Sequence, residues 1–235
     1  HDYLELRGIG DHDKYTHHLQ EHMAEFGEGL MGVAFATADA EASYLELAQR
    51  GMHPQPVRQL SRRFEIPDAP VEPRFSLCFL PPEETPGLMS VVLCQHLTPE
   101  LLRRPEWLRH ENGACGVASL TGVVSDLAMA EAALRPMFDE RQINRDGDAL
   151  SISFQRDQTI TLTTTSQLAA RHAGLHVDVL DNRPRLMAAT LRTENLATTA
   201  ACFSSRAVSH ELVDDGRLRI DPSYTCGVAL EFTPT

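Results

Sequence analysis

The sequence predicts an α+β protein of mixed sheets assembled from tandem βαβββ modules. Three observations carry that prediction. An apolar strand, then an Asp or Asn, then an amphipathic helix occurs three times. Each of those helices is followed by further strand-like runs. The 235 residues are 42% apolar and 23% charged, enough for one large or two ordinary domains with a proper core.

The elements follow in order. Tyr3-Leu4-Glu5-Leu6 reads as the interior of a strand ended by Gly8 and Gly10. It matches Ala229-Leu230-Glu231-Phe232 in form, so it is expected to be the last strand of a further module whose front half lies upstream of His1 and is missing. His12, His17, His18 and His22 come next, in a stretch expected to be a solvated linker helix. His18 and His22 would share a helix face at i, i+4, a spacing that can hold zinc. The first repeated strand covers residues 30–37. Asp39 then caps a helix with Ala42, Leu45 and Ala48 on one face, closed by Gly51, and strands are expected over 57–66, 74–80 and 89–97. The second copy has a strand over 115–124, the cap Asp126, and a buried stripe of Leu127, Ala130, Leu134 and Met137. Strands over 149–155 and 159–165 follow, with a short extra one at 142–145. The third has a strand over 186–191, the cap Asn195, and an inner face of Leu196, Ala200, Phe203 and Ala207. Its strands are expected over 210–213, 217–220 and 227–233. Asp215-Gly216 suits a type I′ hairpin turn, and Arg156-Asp157-Gln158 a second tight turn. Uneven spacing between the three caps excludes a solenoid.

Composition removes several function classes. The net charge is −12, and no basic run marks a nucleic-acid or membrane-surface site. No apolar run approaches the ~20 residues of a membrane span. Lys14 is the single lysine, which argues against Schiff-base chemistry and points to a GC-rich bacterial genome. Phosphate-loop, dinucleotide, serine-hydrolase and zincin motifs are all absent from the sequence. Cys78, Cys94, Cys115, Cys202 and Cys226 are odd in number with no C-x-x-C pair, so they read as buried free thiols. A reducing, cytoplasmic location follows. Trp107 is expected in the core or at a module junction.

Repeated βαβββ modules, strand ends of the form Leu-Glu-Leu or Leu-Glu-Phe, and an Asp or Asn after each first strand resemble the vicinal oxygen chelate superfamily. More narrowly, Tyr3 to Leu6, Gly29-Leu30-Met31-Gly32 and the run from Gln95 through Trp107 to Ala114 resemble its glyoxalase-like domain, over roughly residues 1–125. That resemblance implies modules paired so that curved sheets form two cups. Residues 1–98 would make the first, with its first module truncated, residues 99–112 a connection, and residues 113–235 the second. It also implies a divalent metal (zinc, nickel, iron or manganese) held by a first-strand histidine and a last-strand glutamate. Glu5 and Glu231 stand at glutamate positions, whereas the histidine positions hold Gly32, Ala118 and Ala188. The second cup is therefore expected to be metal-free.

In the N-terminal cup the candidate metal ligand is Glu5 and the candidate catalytic residues are Glu5 and His96. Gln95, His110 and Asn112 are the candidate substrate-binding residues. For His96, a structural role competes; for His110 and Asn112, Asx-turn chemistry does. Two functions remain open. One is a lyase, isomerase or dioxygenase acting on a small oxygen-rich metabolite. The other is a metal-free protein that sequesters a small molecule in the same cup. An acidic surface permits a homodimer without requiring one.

Overall fold

The computed structural model describes residues 23–66, 69–172, 183–213 and 215–235. Tyr3 to Leu6, Glu5 and the histidine cluster lie outside the described residues.

Three modules share one topology. The first comprises β1 (Gly32–Ala36), α1 (Ala40–Gln49), β2 (Arg58–Ser61), β3 (Arg74–Leu80) and β4 (Ser90–His96). The second comprises β5 (Ala114–Val123), α2 (Leu127–Leu134), β6 (Ile143–Asp146), β7 (Ala149–Ser153) and β8 (Thr159–Thr163). Between it and the third lies α3 (Thr165–Arg171). The third comprises β9 (Arg185–Thr193), α4 (Leu196–Ser205), β10 (His210–Leu212), β11 (Leu218–Ile220) and β12 (Ala229–Pro234).

In every module the first strand lies parallel to the last, after a helical crossover. The first module makes a four-stranded sheet in the order β1-β4-β3-β2. The other two join through antiparallel β5 and β9 into one eight-stranded sheet, β10-β11-β12-β9-β5-β8-β7-β6.

The caps explain why each helix begins where it does. Asp39 accepts from Ala42 N, Asp126 from Ala128 N and Met129 N, and Asn195 from Ala197 N and Thr198 N. Each satisfies amide donors that the first helical turn leaves unpaired. Strand alternation does the rest. Leu127, Ala130 and Leu134 of α2 bury against Leu150, Ile152, Ile160 and Leu162, in a core that also holds Leu47, Leu80, Leu88 and Val91 of the first module. Phe35 joins it, with its ring 5.8 Å from that of Phe138 and 5.5 Å from that of Phe154. Leu196, Ala200 and Phe203 of α4 cover Leu218, Ile220 and Phe232. The intervening residues of each strand therefore line the opposite, inner faces.

Several expectations change. No helix was expected over Thr165–Arg171, because Thr-rich β8 runs straight into it. Thr98, which the sequence suggests as the cap of a short helix, opens only a 3₁₀ turn over Pro99–Leu101 without a side-chain cap, its Oγ1 accepting instead from Arg74 N at 2.8 Å. The β10–β11 hairpin closes on Val213 N to Arg217 O. That leaves a three-residue loop with Gly216 at φ 81, rather than a two-residue type I′ turn. Trp107 is 37% exposed, with the Arg104 guanidinium 5.4 Å over its ring. Cys78 is buried, but Cys115 and Cys226 are exposed. Cys115 sits near the start of β5, beside a register shift, and Cys226 occupies a turn at φ 55. No described helix is long and apolar enough to cross a membrane.

Candidate functional site

Two inner faces are available. On the four-stranded sheet, cross-strand register groups Ala36, Cys94, Leu77 and Arg58 in one row, with Ala34, Val92 and Phe79 to one side and His96, Phe75 and Leu60 to the other. This wall is apolar and partly exposed apart from two polar groups. His96 meets the Phe75 ring edge-on at 5.2 Å, and its Nδ1 is buried without a hydrogen-bond partner among the described residues. Arg58, half-buried, has no ion pair or hydrogen bond among them either.

The sequence-derived candidates separate here. Gln95, next to His96, points to the other face, where its Oε1 accepts from Ala40 N at 3.2 Å and helps hold the start of α1. His110 is exposed, and its carbonyl closes a turn with Gly113 N. Asn112 makes an Asx turn, Oδ1 accepting from Ala114 N at 3.1 Å, while its carbonyl accepts from Thr199 Oγ1 at 2.7 Å. Of the described candidates, His96 alone faces the inner wall. Arg58 escaped the sequence reading because a single arginine in a short edge strand carries no pattern.

The wall has little with which to hold a metal. A Cβ at Gly32 would stand 2.3 Å from Ser90 O, so no side chain fits that first-strand position. Glu231 lies two pairs beyond Ala188–Ala229, opposite Thr190. The corresponding place two pairs beyond Gly32–Ser90 on β4 is Val92. No group of three or more His, Cys, Asp or Glu among the described residues could hold a metal ion. Among the described residues, His96 is the wall's one imidazole.

On the eight-stranded sheet the inner face is rich in hydroxyls, including Thr121, Thr161 and Thr190, and it converges on Glu231, which is fully buried. Arg219 donates from Nε at 2.9 Å and from Nη2 at 2.8 Å to Glu231 Oε1. Arg217 Nη1 donates to Oε2, and its Nε to Asp215 Oδ2 at 2.8 Å. His172, just past α3, is 4% exposed; its Nδ1 lies 3.2 Å from Glu231 Oε1 and its Nε2 3.1 Å from Thr121 Oγ1. Leu168 of α3 packs with Val123, Ala188 and Ala229 beside this cluster.

Burial works against ionising Glu231, yet His172, Arg219 and Arg217 together outweigh it and hold the carboxyl below its ordinary range. The guanidinium of Arg217 holds Asp215 low in turn. These residues do not fit a divalent metal: both oxygens of Glu231 accept from guanidiniums, and Ala188 carries no donor atom. The sequence reading missed His172, Arg217 and Arg219. The alternation Arg217-Leu218-Arg219-Ile220 was the available signal, since it sets both arginines on one strand face.

The family model described as a glyoxalase-like domain matches residues 1–138. Among curated proteins, none matches the sequence. Similar solved structures include a hypothetical protein from Staphylococcus aureus, at 9% identity and TM-score 0.61, covering 100% of this chain and 78% of that one. A mutant of 4-hydroxymandelate synthase from Streptomyces coelicolor shares 9% identity at TM-score 0.55, over 94% of this chain and 74% of that one. Methylmalonyl-CoA epimerase from Mycobacterium tuberculosis shares 13% identity at TM-score 0.40, over 56% of this chain and 95% of that one. The first two likenesses span nearly the whole chain and speak to the fold alone.

Proposed function

Because the chain belongs to the glyoxalase-like domain family of the vicinal oxygen chelate superfamily, we propose that it is an isomerase or lyase acting on a small, anionic, oxygen-rich carbonyl compound in the N-terminal cup. The observation that carries this reading is the inner wall of β1–β4: an apolar surface with an imidazole whose Nδ1 is buried and unpartnered among the described residues, and the half-buried guanidinium of Arg58, which has no ion pair among them.

Each group has a role in that reading. Arg58 receives the anionic end of the substrate, a task suited to a permanently charged fork of donors. Leu77, Phe75 and Cys94 carry its apolar part. His96 hydrogen-bonds the carbonyl oxygen and stabilises the charge that develops there as the adjacent proton leaves. Glu5 is proposed as the base that removes that proton and returns it. A metal bound through Glu5 would add Lewis-acid polarisation of the same carbonyl; the described wall offers it His96 at most.

The test is solvent exchange. Small 2-oxo and 2-hydroxy acids are incubated with the protein in deuterium oxide, and loss of the carbon-bound proton is followed by NMR. Exchange with at least one acid, slowed about 100-fold or more by His96→Ala, is the expected result. A second reading, a metal-free binding protein, draws support from Gly32 and Val92, which leave two ligand positions without donors. Saturable binding of an acid without any exchange would decide for it.

A further inference from the structure

We propose that the C-terminal cup is self-liganded. Arg217 and Arg219 supply on Glu231 the two positive charges that a divalent cation would bring, and α3 occupies the space of a bound ligand through Leu168 and His172.

The geometry supports each half of this statement. Glu231 is fully buried and would be unstable there without compensating charge. Its two oxygens are shared between two guanidiniums, Oε1 with Arg219 and Oε2 with Arg217. The pair therefore meets both the charge and the coordination demand of the carboxylate, and a cation approaching it would meet like charge. Asp215 and Glu211 balance the outer side: Asp215 bonds Arg217, and Glu211 Oε1 lies 3.6 Å from Arg219 Nη1.

The ligand half rests on packing. Ala188, on the first strand of the third module, is 1% exposed and shares a cluster with Leu168, Ala229 and Val123. A bulkier, metal-binding side chain at Ala188 would compete with Leu168 for that volume. His172 then lies between the third module and the second: its Nε2 shares a hydrogen bond with Thr121 Oγ1, and its Nδ1 stands 3.2 Å from Glu231 Oε1 without hydrogen-bond geometry. Carboxylate, imidazole and hydroxyl stand in the order of a hydrolytic triad. Thr121 is only 6% exposed, however, and the carboxylate is committed to two arginines, so the chain of contacts fastens α3 to the sheet.

Chemical rescue tests the charge assignment. Glu231→Ala leaves two guanidiniums facing a small void, and the full-length variant should melt roughly 5–15 °C below the unaltered chain. Acetate or formate, which can enter as the missing carboxylate, should restore a third or more of that loss, while sodium chloride at equal ionic strength restores none. Equal effects of acetate and chloride would overturn the assignment. Should Glu231→Ala not fold, Glu231→Gln keeps the side-chain volume and allows a second readout, calorimetric titration with Zn²⁺ or Mn²⁺. The expected stoichiometry equals that of the unaltered chain, and one ion fewer would show that Glu231 binds metal after all. Both readouts concern Glu231 alone, so they are independent of whether the N-terminal cup catalyses proton exchange.

Discussion

Glu231 depends on its neighbours in a way that pH can expose. A glutamate in an unfolded chain titrates near 4.3, and the folded carboxyl is held lower. Its contribution to stability is therefore fully present above that unfolded value and is lost as pH falls through the folded one. The stability gap between the unaltered chain and Glu231→Gln should be widest near neutrality and shrink as the solution is taken below pH ~4, measured by urea unfolding across that range. A gap that stays constant would mean the carboxylate's charge contributes nothing. The cysteines separate on the same grounds. Burial, with Glu41 nearby, pushes the Cys78 thiol up to about 11, and a hydrogen bond to Glu28 raises Cys226. Cys115, exposed, should react first with a thiol-specific reagent at neutral pH, and Cys78 only on unfolding. Peptide mapping of the labelled chain checks the order. At this scale the sequence was least legible. Free thiols could be read from spacing, but not the register shift beside which Cys115 is exposed, nor that Glu231 would be answered by arginines two strand positions apart.

Elements were far more legible, because caps and alternation are local. Asp39, Asp126 and Asn195 each cap the helix expected of them. Asn195→Ala should cost about 1 kcal/mol by equilibrium unfolding, the ordinary loss of one cap. A change of only a tenth or two would show that tertiary packing alone fixes the start of α4. What escaped was α3, seven residues whose first turn is Thr-Ser-Gln and whose apolar face amounts to Leu168. A helix that short has no measurable period, and it is stabilised by the pocket it enters rather than by propensity. Close backbone approach was equally invisible. A Cβ on Gly122 of β5 would stand 2.4 Å from Gly87 O, so Gly122→Ala should force the loop before β4 away from the sheet. The expected loss is about 1–3 kcal/mol.

Across the whole molecule, duplication made the topology readable from three weak repeats. Each module alone offers a common pattern; three in order, with the same strand–cap–helix grammar, leave few alternatives. The joining of the first module to the second was not readable, because it uses the same kind of apolar residue as any core. Leu134 is fully buried in the cluster that also holds Leu47, Leu80 and Leu88. Leu134→Ala should cost about 2–5 kcal/mol and lower a single melting transition. Two separate transitions would show the four-stranded sheet unfolding independently.

The arginine pair on Glu231 has one last consequence. An ion must be delivered, and chelators or competing ions can take it away; guanidiniums emerge with the polypeptide and stay. If the arginine pair stands in for a cation as proposed, the half of this protein built around Glu231 reaches its native state without drawing on the zinc or manganese of its surroundings.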